Sequence, residues 1–190
     1  MAVEDITEAK SKAEILAFRA DHDALTSLLN RAAYDKCVLQ YKYAPYPIAY
    51  ILMDVDKFKA VNDNYGHDVG DVILKDVAKL LKTEFRISDS VIRMGGDEFA
   101  VIAINFPESQ KDNLLEKINR INQALLNPTK PVPKVSLSVG VAFSEEGFSE
   151  DLYKKADIAL YHTKNTTRCG ATVYREDLGS AQGETLSKID

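Results

Sequence analysis

Two short apolar runs, residues 90–94 and 99–104, stand four residues apart, and the four between them are Gly95-Gly96-Asp97-Glu98. Runs of this composition joined through glycines predict a β-hairpin, whose strands are antiparallel. Elsewhere along the chain strand and helix signals alternate. Alternation alone would permit a fully parallel, doubly wound sheet, but an antiparallel pair inside it argues against one. The expected fold is α/β, with a mixed β-sheet and helices on its faces.

The other signals fill in that plan. Residues 48–53 (IAYILM) form a continuous apolar run, the mark of a strand buried on both sides. Residues 30–43, 57–65, 68–86 and 152–163 read as helices. The third carries Val69, Val72, Ile73, Val77, Leu80, Leu81 and Phe85 on one face. Leu114, Ile118, Ile121 and Leu125 give a further helix after Pro107. Across 135–143, large residues alternate with Ser136, Ser138, Gly140 and Ala142, so a neighbour is expected to approach the small-residue face closely. Residues 172–174 predict an edge strand. Residues 5–20 place Ile6, Ala9, Ala13, Leu16 and Ala20 in a narrow stripe, which reads either as a surface helix or as the end of a linker from an upstream domain. From Glu176 onward there is no periodicity, and the tail reads as mobile.

Composition narrows the function. At 45% hydrophobic and 28% charged, the 190-residue chain is neither disordered nor fibrous. Cys37 and Cys169 alone cannot build a disulfide framework or a cysteine-rich zinc site. No apolar stretch nears the ~18 residues a membrane span needs, and the polar N-terminus is no signal peptide. A cytoplasmic setting without membrane contact is expected. A net charge of −5 argues against nucleic acid as a partner, though not against a nucleotide.

Two acidic clusters carry the chemistry. In Arg93-Met94-Gly95-Gly96-Asp97-Glu98-Phe99 the glycines let backbone approach a ligand, and two carboxylates follow. On a strand Asp97 and Glu98 would point to opposite faces, so the turn must bend them to act together. By itself this is also ordinary turn chemistry. Asp54-Val55-Asp56 closes the apolar strand. Carboxylates gathered at a strand end beside a glycine-acid turn repel each other unless a hard cation is present. Magnesium with nucleotide phosphates suits them, which points to metal-assisted phosphoryl transfer. A surface acidic patch is the alternative.

The sequence resembles the GGDEF domain, the catalytic domain of bacterial diguanylate cyclases. The five-residue motif is intact at Gly95–Phe99, and its chance occurrence in this length is about 6 × 10⁻⁵. Asp23-Ala-Leu-Thr26 with Asn30-Arg31, Asp54-Val-Asp56-Lys-Phe-Lys59, Asn62-Asp63, Gly66-His67 and Gly70-Asp71 follow in family order. Ser138-Val-Gly140-Val-Ala142, Ala156-Asp157, Ala159-Leu160-Tyr161 and Lys164 continue it. The resemblance divides the chain into a linker helix (1–20), a GGDEF domain (21–175) and a flexible tail (176–190). It implies a palm-like α/β sandwich, helices on both faces of the sheet, related to nucleotidyl cyclase catalytic domains. It also implies condensation of two GTP into cyclic di-GMP, with each of two facing domains holding one GTP, and an upstream sensory domain outside this chain.

Residue roles follow from the resemblance. Asp54, the Val55 carbonyl, Asp97 and Glu98 are expected to hold Mg2+, with Mn2+ able to substitute. Asp97 is the candidate for taking the 3′-hydroxyl proton. Lys59, with the Phe58 and Lys59 N–H groups at a helix start, should stabilise phosphate charge. Gly95 and Gly96 should admit the substrate. Lys164 and Arg168, four apart and so one helical turn, should grip one triphosphate. Asn62 and Asp71 should read guanine, since a carboxylate accepts from both N1–H and the 2-amino group, a donor pair adenine lacks. His67 is a candidate substrate contact or simply a helix-start residue. Arg86-Ile-Ser-Asp89 matches the family's RxxD site, where the product inhibits, with Lys117 on the next helix as a candidate helper.

Some positions depart from the family. Ser27 stands where glycine is usual and Thr163 where alanine is usual. Thr167 and Cys169 flank Arg168 in place of glycine and asparagine, and threonine resists a positive φ. Cys169 reads as a packing residue, not a nucleophile. Two rivals remain at this level: a cyclase that also accepts ATP, against which Asp71 argues, and a non-catalytic nucleotide-binding module, against which the intact Asp54, Lys59, Asp97 and Glu98 argue.

Overall fold

The computed structural model describes residues 18–178, so residues 5–17 of the expected helix and most of the expected tail lie outside the described residues, while residues 18–21 are helical. Its centre is β1 (Ile48–Val55), the apolar run extended through Asp54 and Val55. β1 pairs antiparallel with β3 (Glu98–Ile104) on one side and with β4 (Leu137–Ser144) on the other. β2 (Ser90–Gly95) completes the hairpin with β3, and β5 (Gly170–Val173) runs parallel to β4 at the far edge. The order β2-β3-β1-β4-β5, with one parallel pair, is the mixed sheet predicted.

Alternation along β1 sorts its side chains between two cores. Ala49, Ile51, Met53 and Val55 face a layer formed by α2 (Phe58–Tyr65), α3 (His67–Glu84) and α4 (Lys111–Leu126). Ile48, Tyr50 and Leu52 face α1 (Arg31–Tyr41) and α5 (Glu150–Asn165). A large apolar side chain removed from water in such a layer contributes roughly 1.5–3 kcal/mol, which holds the strand that ends in Asp54 rigidly in the middle of the sheet.

The close approach expected at the small-residue face of β4 is made by α5. A Cβ on Gly140 would lie 2.1 Å from the Ala156 carbonyl oxygen and 2.3 Å from the Leu160 nitrogen, so helix backbone rests directly on strand backbone. β4 begins two residues later than predicted, at Leu137. The preceding backbone is used elsewhere: the Val135 N–H donates to the Leu125 carbonyl, and the Ser136 carbonyl accepts from Asp56 N–H. The tail expected from Glu176 starts with an anchored turn, in which the Leu178 N–H donates to the Arg175 carbonyl and the Leu178 side chain is buried. Among the described residues no helix is long and apolar enough to cross a membrane.

Candidate active site

The hairpin turn is tighter than the four-residue loop expected. Gly95 pairs with Glu98, the register shifts between Arg93 and Gly95, and only Gly96 and Asp97 form the turn. Gly95 (φ 150°) and Gly96 (φ 51°) both adopt conformations that favour glycine, and a Cβ on either would meet no protein atom. The turn also resolves the problem of adjacent carboxylates. Asp97 sits in the turn itself, and Glu98 heads β3 directly across from Asp54. The Asp97 carbonyl accepts from the Val55 N–H at 3.2 Å, tying the tip to the end of β1.

A second tie comes from a residue that motif reading passed over. Arg93 donates twice to the Gly96 carbonyl, at 3.0 and 2.8 Å, and to both Asp23 carboxylate oxygens, at 3.0 and 3.1 Å. Asp23 also accepts from the Thr26 N–H and hydroxyl. Burial opposes ionisation here, but the bonds from Thr26 and Arg93 win and hold the Asp23 carboxyl below its ordinary value. Ser27, just beyond, has φ 55°, so the position where the family uses glycine is indeed left-handed.

Asp54 is the most enclosed of the candidate carboxylates, with a side chain 16% exposed. Its oxygen lies 2.7 Å from the Lys164 ammonium. Burial pushes the Asp54 carboxyl above its usual range; Lys164 opposes this, while the charges of Asp97 and Asp56 add to it. Asp56, the other acid of the strand-end cluster, is structural. It is buried and accepts from Ser136 Oγ at 2.6 Å, Ser138 Oγ at 2.7 Å and the Cys169 N–H at 3.2 Å.

The donor set suits a divalent metal of magnesium type. Asp54, Val55, Asp97 and Glu98 offer only oxygen, and an ammonium already sits against Asp54, so the position favours positive charge. Among the described residues no three carboxylate, histidine or cysteine side chains converge on a common point. Magnesium is ordinarily held by one or two carboxylates plus phosphates and water, so a converged cage is not required.

Around this centre stand the remaining candidates. α2 begins at Phe58, and its N-cap Lys57 supplies no side-chain cap, which leaves the first N–H groups without a side-chain cap from that residue. Lys59 is exposed. Phe58 and Asn62 meet at Gly70: a Cβ there would lie 2.1 Å from Asn62 Oδ1 and 3.1 Å from Phe58 Cζ. Asn62 Oδ1 is buried without a hydrogen-bond donor. Asp71 and His67 are exposed on α3, and His67 is its first residue.

Lys164 and Arg168 are not on one helical turn. α5 ends at Asn165, and Arg168 and Cys169 both take left-handed backbone, at φ 47° and 48°. The Arg168 N–H returns to the Thr163 carbonyl at 2.9 Å, and its Nε donates to the Lys164 carbonyl at 3.1 Å. Its side chain borders a recess with Lys57, Asn64, Lys134 and Ser136. Thr167 is not among the left-handed residues of this loop, which are its two successors. Cys169 is exposed, where a packing residue was expected. A left-handed residue other than glycine or asparagine costs about 1–2 kcal/mol, so Cys169→Asn is expected to gain about 0.5–1 kcal/mol and raise Tm by about 1–4 °C. An unchanged melting curve would show that the loop does not hold this conformation.

At the other end of the domain, Arg86 and Asp89 form a tight turn. The Arg86 N–H donates to Asp89 Oδ2 at 2.9 Å, and Asp89 Oδ1 is buried without a donor. The Arg86 side chain is exposed. Lys117 on α4 lies 5.8 Å over the Phe85 ring and donates to the Glu84 carbonyl, so the suggested helper does reach this corner.

Known proteins resemble this chain in sequence and in fold. The profile of the family described as "Diguanylate cyclase, GGDEF domain" matches residues 20–169. The chain is 37% identical over 171 residues to diguanylate cyclase DgcM of Escherichia coli, covering 87% of this chain and 41% of that protein. It is 33% identical over 191 residues to the probable diguanylate cyclase DgcE of the same species, covering 97% of this chain and 17% of that protein. The chain thus spans less than half the length of either relative. Its fold is also that of the coiled coil and GGDEF domain of DgcB from Caulobacter crescentus, a structure in complex with c-di-GMP. The TM-score is 0.79 at 24% identity, covering 90% of this chain and 95% of that one.

Proposed function

Because the chain belongs to the GGDEF-domain family of diguanylate cyclases, we propose that it condenses two GTP into cyclic di-GMP and releases two pyrophosphates. The observation that carries this reading is the half-buried Asp54 at the end of the central strand, facing a glycine turn whose Asp97 carbonyl is bonded back to Val55.

In this reading Asp54, the Val55 carbonyl, Asp97 and Glu98 hold Mg2+ or Mn2+. The chemistry a divalent ion supplies at such a site is neutralisation of phosphate charge and a lower pKa for the attacking hydroxyl. Asp97 accepts the 3′-hydroxyl proton. The uncapped start of α2 and the Lys59 ammonium hold the phosphates, with Lys164 and Arg168 at the far end of the triphosphate. Asp71 and Asn62 accept the guanine N–H groups; the undonated Asn62 Oδ1 supports this. ATP lacks this donor pair and would leave the buried Asn62 Oδ1 unpaired, so GTP is preferred. His67, the first residue of α3, contacts the substrate, and Gly95 and Gly96 admit it without side-chain obstruction.

One such pocket holds one nucleotide, yet the product joins two through two bonds. Two copies must therefore face each other, with help in cytoplasmic life from a sensory region upstream. The product then restrains the enzyme at Arg86 and Asp89, where an exposed guanidinium and an undonated carboxylate oxygen suit a guanine base.

The test is cyclic di-GMP formation from GTP and magnesium over a hundredfold range of enzyme concentration. The rate is expected to rise faster than linearly, and Arg86→Ala is expected to lose tight product binding while its steady-state rate rises. Flat specific activity in a species that light scattering shows to be monomeric rejects the facing pair. Absence of product at every concentration rejects the activity. Unchanged product affinity in Arg86→Ala rejects the inhibitory site.

A further inference from the structure

We propose that Lys164 competes with the metal for Asp54, so that a divalent cation binding there frees the lysine to engage the nucleotide. The inference rests on the reading above for the nucleotide and on the observed ion pair for the competition.

Asp54 ends the central strand with β3 and β4 on either side and a side chain only 16% exposed. A carboxylate so placed needs a positive partner. The acids that bear on it, Asp97 and Asp56, worsen its position. Asp56 offers no relief, because Ser136, Ser138 and Cys169 already engage its oxygens. The cation that reaches Asp54 is the Lys164 ammonium, at 2.7 Å.

The base of that lysine is fixed while its tip is not. Thr163, its neighbour, is buried, and its hydroxyl donates to the Val139 carbonyl at 2.8 Å and lies 2.7 Å from Thr172 Oγ1. α5 rests on Gly140 backbone to backbone. The Lys164 side chain is 35% exposed and ends in a compact charge on a flexible four-carbon stem. It can leave Asp54 without any movement of the helix.

An ammonium 2.7 Å from a carboxylate oxygen and a divalent ion on that same carboxylate repel each other at contact distance. Metal binding therefore breaks the pair and turns the lysine loose beside the triphosphate position. Two consequences follow. The lysine lowers the affinity of Asp54 for metal alone, and it links metal to nucleotide, each raising the affinity for the other by the same factor. The site then discriminates against a bare metal ion and against a bare triphosphate.

The experiment titrates Mn2+ alone, without nucleotide, into the full chain and follows free Mn2+ by electron paramagnetic resonance. Lys164→Met keeps the stem and removes the charge, and it is expected to bind Mn2+ between about 5- and 150-fold more tightly than the wild type. Lys164→Arg keeps the charge and is expected to stay near the wild-type affinity. Adding Asp54→Asn to Lys164→Met should abolish the tightened binding. Equal or weaker Mn2+ binding by a folded Lys164→Met overturns the proposal. So does binding that survives Asp54→Asn, or no binding by either protein at millimolar Mn2+.

A second arm measures a non-hydrolysable GTP analogue at low and high Mn2+. The wild type is expected to gain affinity with metal by a larger factor than Lys164→Met, and an equal factor overturns the linkage. If the analogue fails to bind while the metal arm behaves as stated, the competition stands and the GTP reading fails.

Discussion

If the chain forms cyclic di-GMP as proposed, Asp54→Asn is expected to lower that rate by about 1000-fold or more and to leave the protein folded. The magnitude is that of removing a charged group that stabilises developing phosphate charge, ~4 kcal/mol at 1.36 kcal/mol per factor of ten. The fold is preserved for a separate reason. Burial raises the Asp54 carboxyl above its ordinary value, so its ionised form is disfavoured by folding. A carboxyl with a raised folded value detracts from stability at every pH above its unfolded value, and an uncharged amide removes that penalty. The Tm of Asp54→Asn at neutral pH is therefore expected to equal or exceed that of the wild type, although Lys164 loses its partner. Activity within tenfold of the wild type in a folded Asp54→Asn would remove Asp54 from the metal site. A large fall in Tm would mean that the pair with Lys164 holds the sheet together.

The second large effect is structural. In Gly140→Ala the new methyl would meet the Ala156 oxygen at 2.1 Å and the Leu160 nitrogen at 2.3 Å. Both obstacles are helix backbone, so no side-chain rotation relieves them, and α5 must lift off β4. Overpacking of this kind costs about 1–3 kcal/mol, and here the upper end is expected, near 3 kcal/mol, with a fall in Tm of about 6–12 °C. The helix carries Thr163 and Lys164, so activity should fall with it. Denaturant unfolding checks the figure, and a change below about 0.5 kcal/mol would show that helix and strand are not in backbone contact.

What could be read beforehand divides along a physical line. The hairpin, the central strand and the close approach at Gly140 were legible because they rest on period-two patterning and on glycine, which are local. The Gly95–Phe99 turn and the DVD segment were legible as motifs for the same reason. Three features were not. Arg93 reaches Asp23 across 70 positions of sequence. Asp56 resembles a ligand beside Asp54 but is spent on two serines from β4 and its lead-in. Arg168 lies off the helix, which stops at Asn165, and a spacing of four says nothing about where a helix stops. Each depends on which partners the fold supplies, not on residue type or interval. The Arg93 signal was nevertheless present: an arginine two residues before a glycine turn has carbonyls within reach that lack other partners.

The Asp23–Arg93–Gly96 connection has a mechanical consequence. The chain enters the domain through residues 20–23, and from Asp23 the path to the glycine turn is a single side chain long. Leu29 adds to this by bridging to Ile92 of β2, with its N–H donating to the Val91 carbonyl and its carbonyl accepting from the Arg93 N–H. Displacement of the entering segment must therefore either carry the turn with it or rupture a two-pronged ion pair whose side chains are only 13% and 23% exposed. Because the Asp23 carboxyl is held below its ordinary value, this link is intact at neutral pH and is lost only as pH falls through that lowered value. The entering segment and the turn are thus coupled through one ion pair and one carbonyl, and at neutral pH no change of protonation interrupts the connection.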